Sequence, residues 1–173
     1  MKRLILSVIG VAIFASFAAA QQGKPPSFAT YPAKVERKTA RAIDFRNSPG
    51  ASTFQTRLRE ALKGQVNFAG RYILTGWGCG TGCSYSAIID AKTGRVWFPD
   101  QLTGVSVWYG TGSEDFPETY TYRKNSRLLI IKGTPGPMED GDSEQKQGTY
   151  YYEWRANRLR LIKFVPDGSR SDG

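Results

Sequence analysis

The sequence predicts an α+β fold, mainly antiparallel β, with one N-terminal amphipathic helix packed against a curled or two-layer sheet of about seven to eight strands. Three observations point there. Only one stretch carries helical periodicity, with Phe54, Leu58 and Leu62 on one side and Arg57, Arg59, Glu60 and Lys63 on the other. From Gly64 onward, short apolar and aromatic runs are separated by Gly, Asn and Asp turns. These runs share no residue pattern or spacing, which argues against a propeller. The alternative architecture is an all-β sandwich with the helix at its periphery.

In chain order, Met1-Lys2-Arg3 is a basic start, residues 4–17 are apolar and uncharged, and Ala18-Ala19-Ala20 follows. A basic segment, a short apolar run and an Ala-x-Ala site describe a secretory signal peptide over residues 1–20, with Gln21 as the mature start. The apolar run is shorter than the ~20 residues that span a bilayer, and no later run is long enough. No cysteine near the cleavage site offers a lipoprotein anchor. The expected location is therefore periplasmic or secreted, with no membrane span after cleavage.

Cleavage removes Lys2 and Arg3 from the 24 basic residues, leaving 22 against 15 acidic residues and a net charge of +7. The excess is concentrated between residues 24 and 71, where only Glu36, Asp44 and Glu60 are acidic. Such a field attracts anionic partners, and it also keeps a protein soluble. Arg57, Arg59, Lys63 and Arg71 are the candidate basic patch.

Residues 21–46, with Pro25, Pro26 and Pro32, read as a leader, with a possible short strand over 40–45; residues 47–173 form one β-rich globular domain. Ser52 followed by Gln55 is a capping-box pattern opening a helix over residues 53–63, and Gly64 ends it. Strands are expected over 68–77 and 85–90. A turn at 90–94 then leads into a strand over 95–98, and two further hairpins turn at 124–126 and at Ala156-Asn157. Leu128-Leu129-Ile130-Ile131 is apolar at every position and predicts a central strand covered on each side, with the helix as one cover. Tyr150, Tyr152 and Trp154 alternate with Tyr151 and Glu153, so that strand has one core face.

Between two of these strands lies Trp77-Gly78-Cys79-Gly80-Thr81-Gly82-Cys83, which holds the only two cysteines of the chain. In an oxidising compartment two cysteines form a structural disulfide, and here that requires the segment to fold back on itself, which glycine permits. A redox role needs an activated thiolate, usually with two residues between the cysteines, and this motif has three. Metal binding needs more soft ligands than two thiolates, and the chain has no histidine. No metal or cofactor is expected.

Asn67-Phe68-Ala69-Gly70-Arg71-Tyr72, the Trp77 to Cys83 motif and Ile88-Ile89-Asp90-Ala91-Lys92-Thr93-Gly94 together resemble a family of uncharacterised exported bacterial proteins. The resemblance covers about residues 66–98 and implies export and a single domain, with no established activity. Histidine is commoner in that family where this chain carries Arg71, so a proton-transfer role at this position does not carry over.

Two function classes follow. One is a non-enzymatic binding or inhibitor-type module of the envelope. It would use the loop of Trp77, Gly78, Gly80, Thr81 and Gly82, closed by Cys79 and Cys83, as a rigid tip toward a protein or an anionic glycan or polymer. The other is a carboxylate-dependent hydrolase of a cell-wall or glycan substrate, for which Glu114, Asp115 and Glu118 lie close together. Ser84, Ser86 and Thr81 beside the loop lack an evident base. The acidic run at residues 139–144 matches no calcium-loop frame. Trp108-Tyr109 precedes a second glycine-rich stretch whose aromatic residues suit a binding surface. No nucleic-acid-binding signature accompanies the positive charge.

Overall fold

A computed structural model describes residues 24–106, 119–136 and 146–167. The signal-peptide residues, Trp108-Tyr109, Glu114, Asp115, Glu118 and the acidic run at 139–144 lie outside the described residues. The described residues fold into two four-stranded antiparallel sheets and one α-helix.

The helix α1 is Gln55–Lys63, preceded by a 3-10 turn at Ala51–Phe54. It lies mid-chain and not at the N-terminus, although it precedes every strand. Leu58 and Leu62 are buried as the periodicity requires. The capping box does not form: Ser52 sits inside the 3-10 turn, Phe54 is the N-cap without a side-chain cap, and the Gln55 amide oxygen accepts from Arg59 instead. The helix does stop at Gly64, which takes an extended conformation.

The first sheet contains β1 (Tyr72–Gly80), β2 (Cys83–Asp90), β3 (Val96–Trp97) and β4 (Thr103–Ser106). β1 runs along one edge of β2, and the other edge is divided: β3 pairs with Ile88 and Ile89, and β4 with Cys83 to Tyr85. Between β3 and β4 lie Pro99, which has no N–H to donate to a ladder, and a 3-10 turn at Asp100–Leu102. β1 starts at Tyr72 and not at residue 68, because Ala69 and Gly70 both take left-handed φ (45° and 84°) and reverse the chain, leaving Phe68 bridged to Tyr72.

The second sheet is a meander of β5 (Tyr120–Tyr122), β6 (Leu128–Gly133), β7 (Gly148–Arg155) and β8 (Arg158–Pro166). β7 alternates as its sequence predicts, and its turn into β8 places Ala156 and Asn157 at φ 51° and 58°. A bridge between Ser106 and Thr134 links the two sheets.

Apolar residues of the first sheet divide by strict alternation. Tyr72, Leu74 and Ile88 face Leu129, Ile131, Tyr150, Tyr152 and Trp154 of the second sheet. Ile73, Ala87, Ile89 and Val96 face Leu58 and Leu62 of the helix. The strand covered on both faces is therefore β2, whose Ala87, Ile88 and Ile89 are all fully buried. β6 is central in its own sheet but has Ile130 half-exposed, and the helix packs on β1 instead. The helix cannot cover β6, because the first sheet lies between them.

Residues 33–44 run as a strap along the body, with no strand over 40–45. Backbone N–H groups of Ala33, Glu36, Ala40 and Asp44 donate to the carbonyls of Asn125, Gly70, Ala91 and Gly94. At Gly94 (φ 79°) a Cβ would lie 2.1 Å from the Ala42 carbonyl oxygen, so only glycine admits this approach. Lys38 of the strap donates to the carbonyls of Leu62 (2.8 Å), Lys63 (3.3 Å) and Gly64 (2.9 Å), placing an ammonium on the negative end of α1. Lys38→Met keeps the aliphatic stem and removes these bonds. It is expected to cost about 1 kcal/mol in urea unfolding and to speed amide exchange at residues 62–65 more than elsewhere.

Candidate functional site

β1 and β2 are core strands at one end and leave the body at the other. Tyr72 to Leu74 are buried, whereas Gly78, Cys79, Gly80 and Thr81 are exposed. Thr81 and Gly82 form a two-residue turn between Gly80 and Cys83, which pair across the hairpin. Gly80 (φ 144°) and Gly82 (φ 67°) take backbone conformations that disfavour a side chain. The register slips between Gly78 and Gly80, which makes Cys79 the extra residue of a bulge, and the disulfide to Cys83 closes it with a Cα–Cα distance of 5.2 Å.

The glycines of the motif have different causes. At Gly76 a Cβ would lie 2.6 Å from the Ser86 hydroxyl oxygen, whereas at Gly78 and Gly80 it would meet nothing within 4 Å. Packing thus accounts for Gly76 and not for the outer glycines.

Trp77 does not stand free at the tip. Its ring stacks on Tyr85 (centroids 5.4 Å apart) and lies 4.8 Å from Phe54, within the helix-side apolar cluster. The Arg57 guanidinium sits 5.7 Å from the Trp77 ring centroid, a cation–π distance. Between Thr56, Arg57 and Glu60 of α1 and Thr75, Gly76 and Trp77 of β1 runs an open groove of about 590 Å³ that ends at the tip.

The four candidate basic residues do not form one patch. Arg57, Arg59 and Lys63 are exposed on α1; Arg59 lies over the Phe45 ring and bonds Gln55, and Lys63 is 2.5 Å from Glu60. Arg71 precedes the opposite end of β1, where it pairs at 2.8 Å with Asp90, a carboxylate only 2% exposed. Asp90 also accepts from the Lys92 N–H. A sequence cue to this pair existed in the apolar run leading into Asp90, which places the carboxylate at the end of a buried strand.

Among the described residues near the tip, the groups that could exchange a proton are hydroxyls. Ser86 is buried, and the buried Tyr120 hydroxyl lies toward Ser84 and Ser86. Burial raises the Tyr120 phenol, with the two serine hydroxyls opposing, and the Tyr120 hydroxyl completes no hydrogen bond of ordinary geometry among the described residues. With its pKa raised, this phenol is neutral at pH 7, a donor and not a base. Burial raises Tyr85 as well. Among the described residues no group of three or more His, Cys, Asp or Glu side chains is placed to hold a metal ion, and no helix is long and apolar enough to cross a membrane.

No family model matches the chain, and neither a curated protein nor a solved structure matches it.

The contrast between the glycines is testable by urea denaturation. Gly76→Ala must displace Ser86 and is expected to cost about 1–3 kcal/mol, whereas Gly78→Ala is expected to stay within about 0.5 kcal/mol of wild type. The disulfide closes so short a loop that reducing it should remove no more than about 2 kcal/mol.

Proposed function

We propose that this protein is an exported binding module of the cell envelope whose recognition tip is the disulfide-closed hairpin end. One observation carries the reading: the segment with the chain's most unusual composition is exposed, and Gly78 and Gly80 have open space where a side chain would stand. A surface of bare backbone held in one shape by a disulfide binds with less entropy to lose than a free loop. Export is supported by the N-terminal sequence and by a disulfide, which persists in oxidising compartments. Among the described residues the tip has no evident base beside it, which favours binding over turnover. The partner is a protein or an anionic glycan or polymer, the latter favoured by the exposed Arg57 over Trp77.

Purified peptidoglycan sacculi and heparin are the first probes. Thr81→Lys and Thr81→Glu are both expected to lie within about 0.5 kcal/mol of wild type in stability, since Thr81 is exposed. If the tip recognises shape, both variants lose about tenfold or more in co-sedimentation with sacculi. Stronger binding by the Lys variant and weaker binding by the Glu variant would reduce the tip to a point in an electrostatic field and overturn the reading. Release of soluble fragments from sacculi would overturn it in favour of a hydrolase.

Retention on heparin provides a second expectation. It should fall steeply between low and physiological salt, where exposed charges are screened beyond about 8 Å. Absence of retention at low salt would remove the polyanion from the list of partners.

A further inference from the structure

The outer edge of β1 is paired along its first half and open along its second. Which backbone groups point outward is shown by Leu74: its N–H donates to the Asn67 side-chain oxygen (2.8 Å), and its carbonyl accepts from the Asn67 side-chain nitrogen (2.9 Å). Asn67 thereby imitates a neighbouring strand. Tyr72 is satisfied on the same side, exchanging bonds with Phe68 and accepting from Asn67. Direction alternates along a strand, so the next outward-facing residues are Gly76 and Gly78. Both are exposed, and among the described residues nothing pairs with their outward N–H and C=O groups.

This open edge borders the groove between α1 and β1. Its far wall carries Arg57, exposed and without a carboxylate partner among the described residues, while the acid in that wall, Glu60, is taken by Lys63. The sheet face turned away from the helix bears no side chain at Gly76 or Gly78, so an incoming chain meets no steric barrier there. Glycine also leaves both backbone edges bare to a partner.

We propose that an extended acidic peptide segment of a partner protein docks by adding a strand to β1 at Gly76 to Gly78. Main-chain hydrogen bonds supply the pairing, one side chain enters the groove over Trp77, and a carboxylate of the segment meets Arg57. Charge selects the acidic peptide, and the unpaired edge selects a peptide over a glycan, which has no backbone ladder to offer. The inference rests on the reading of this protein as a binding module; of the tip it uses Trp77 and Gly78, and not the disulfide-closed turn at Thr81 and Gly82.

The test uses the 15N-labelled protein and the peptide acetyl-Thr-Val-Glu-Val-Thr-amide, with a Lys-for-Glu analogue and two analogues N-methylated at alternate sets of amides. Binding is expected to shift the Gly76 and Gly78 amide resonances and slow their exchange. One N-methylated analogue should bind and the other should not, because only alternate amides of an added strand face β1. Arg57→Glu should weaken the Glu peptide by tenfold or more and favour the Lys analogue, whereas Arg160→Glu, at an exposed position on β8 of the second sheet, should leave both unchanged.

Absence of binding at millimolar peptide, or equal behaviour of the two N-methylated analogues, would overturn the proposal. So would heparin binding that depends on Arg57 without protection of residues 76 and 78, which would make Arg57 an electrostatic contact only. Protection that rises with protein concentration and accompanies dimers in sedimentation would make a second copy the occupant and also overturn it. Loss of peptide binding with retained tip-dependent sedimentation on sacculi would remove this inference and leave the proposed function standing.

Discussion

Burial of the β1–β2 hairpin on both faces is the constraint around which the other elements are arranged. Ala87, Ile88 and Ile89 leave no solvent-facing side on β2, and removing each isoleucine from water is worth about 1.5–3 kcal/mol. A strand of this kind is unstable unless two different covers are brought to it. The second sheet supplies one through Leu129, Ile131, Tyr150, Tyr152 and Trp154. The helix supplies the other through Leu58 and Leu62.

Both covers are themselves tied back to the hairpin. The strap at residues 33–44 crosses from the β5–β6 turn to the turn after β2, and its Lys38 holds the C-terminal end of α1. Arg71 and Asp90 join the start of β1 to the end of β2 where the hairpin is most deeply enclosed. A buried carboxylate left unpaired would be strongly unfavourable, so this contact specifies the register there more than it adds stability.

At the other end the covers stop and the same hairpin becomes a surface. Side chains shrink along the face toward the second sheet, from Leu74 and Ile88 to Gly76 and Ser86, then Gly78 and Ser84. The helix-side face keeps Trp77 and Tyr85 packed against Phe54, which anchors the exposed tip to the core. The tip, the groove and the open edge of β1 are thus consequences of one strand pair extending beyond what covers it.

Alternating polarity, helical spacing and turn residues act locally, and so the helix at Phe54, Leu58 and Leu62, the one-faced strand at Tyr150 to Trp154, the Ala156-Asn157 turn and the Cys79–Cys83 pairing were legible in the sequence. Local pattern states which side of an element is apolar and not what will cover it. For that reason the doubly covered strand proved to be β2 and not β6, the capping box at Ser52 does not form, and the helix end held by a distant side chain is the C-terminus, through Lys38 of the strap. A cation in a sequence likewise carries no record of its partner: Arg71 reads as part of a basic patch until folding sets it against Asp90, and Arg57 as one of several surface charges until α1 lays it over Trp77. The sequence by itself determined the elements, their apolar sides and the closed loop, because these depend on neighbours along the chain. Only the tertiary structure decided the covers, the ion pairs and the free edge at Gly76 and Gly78, because these depend on contacts between segments far apart in sequence, whose closure no local pattern encodes.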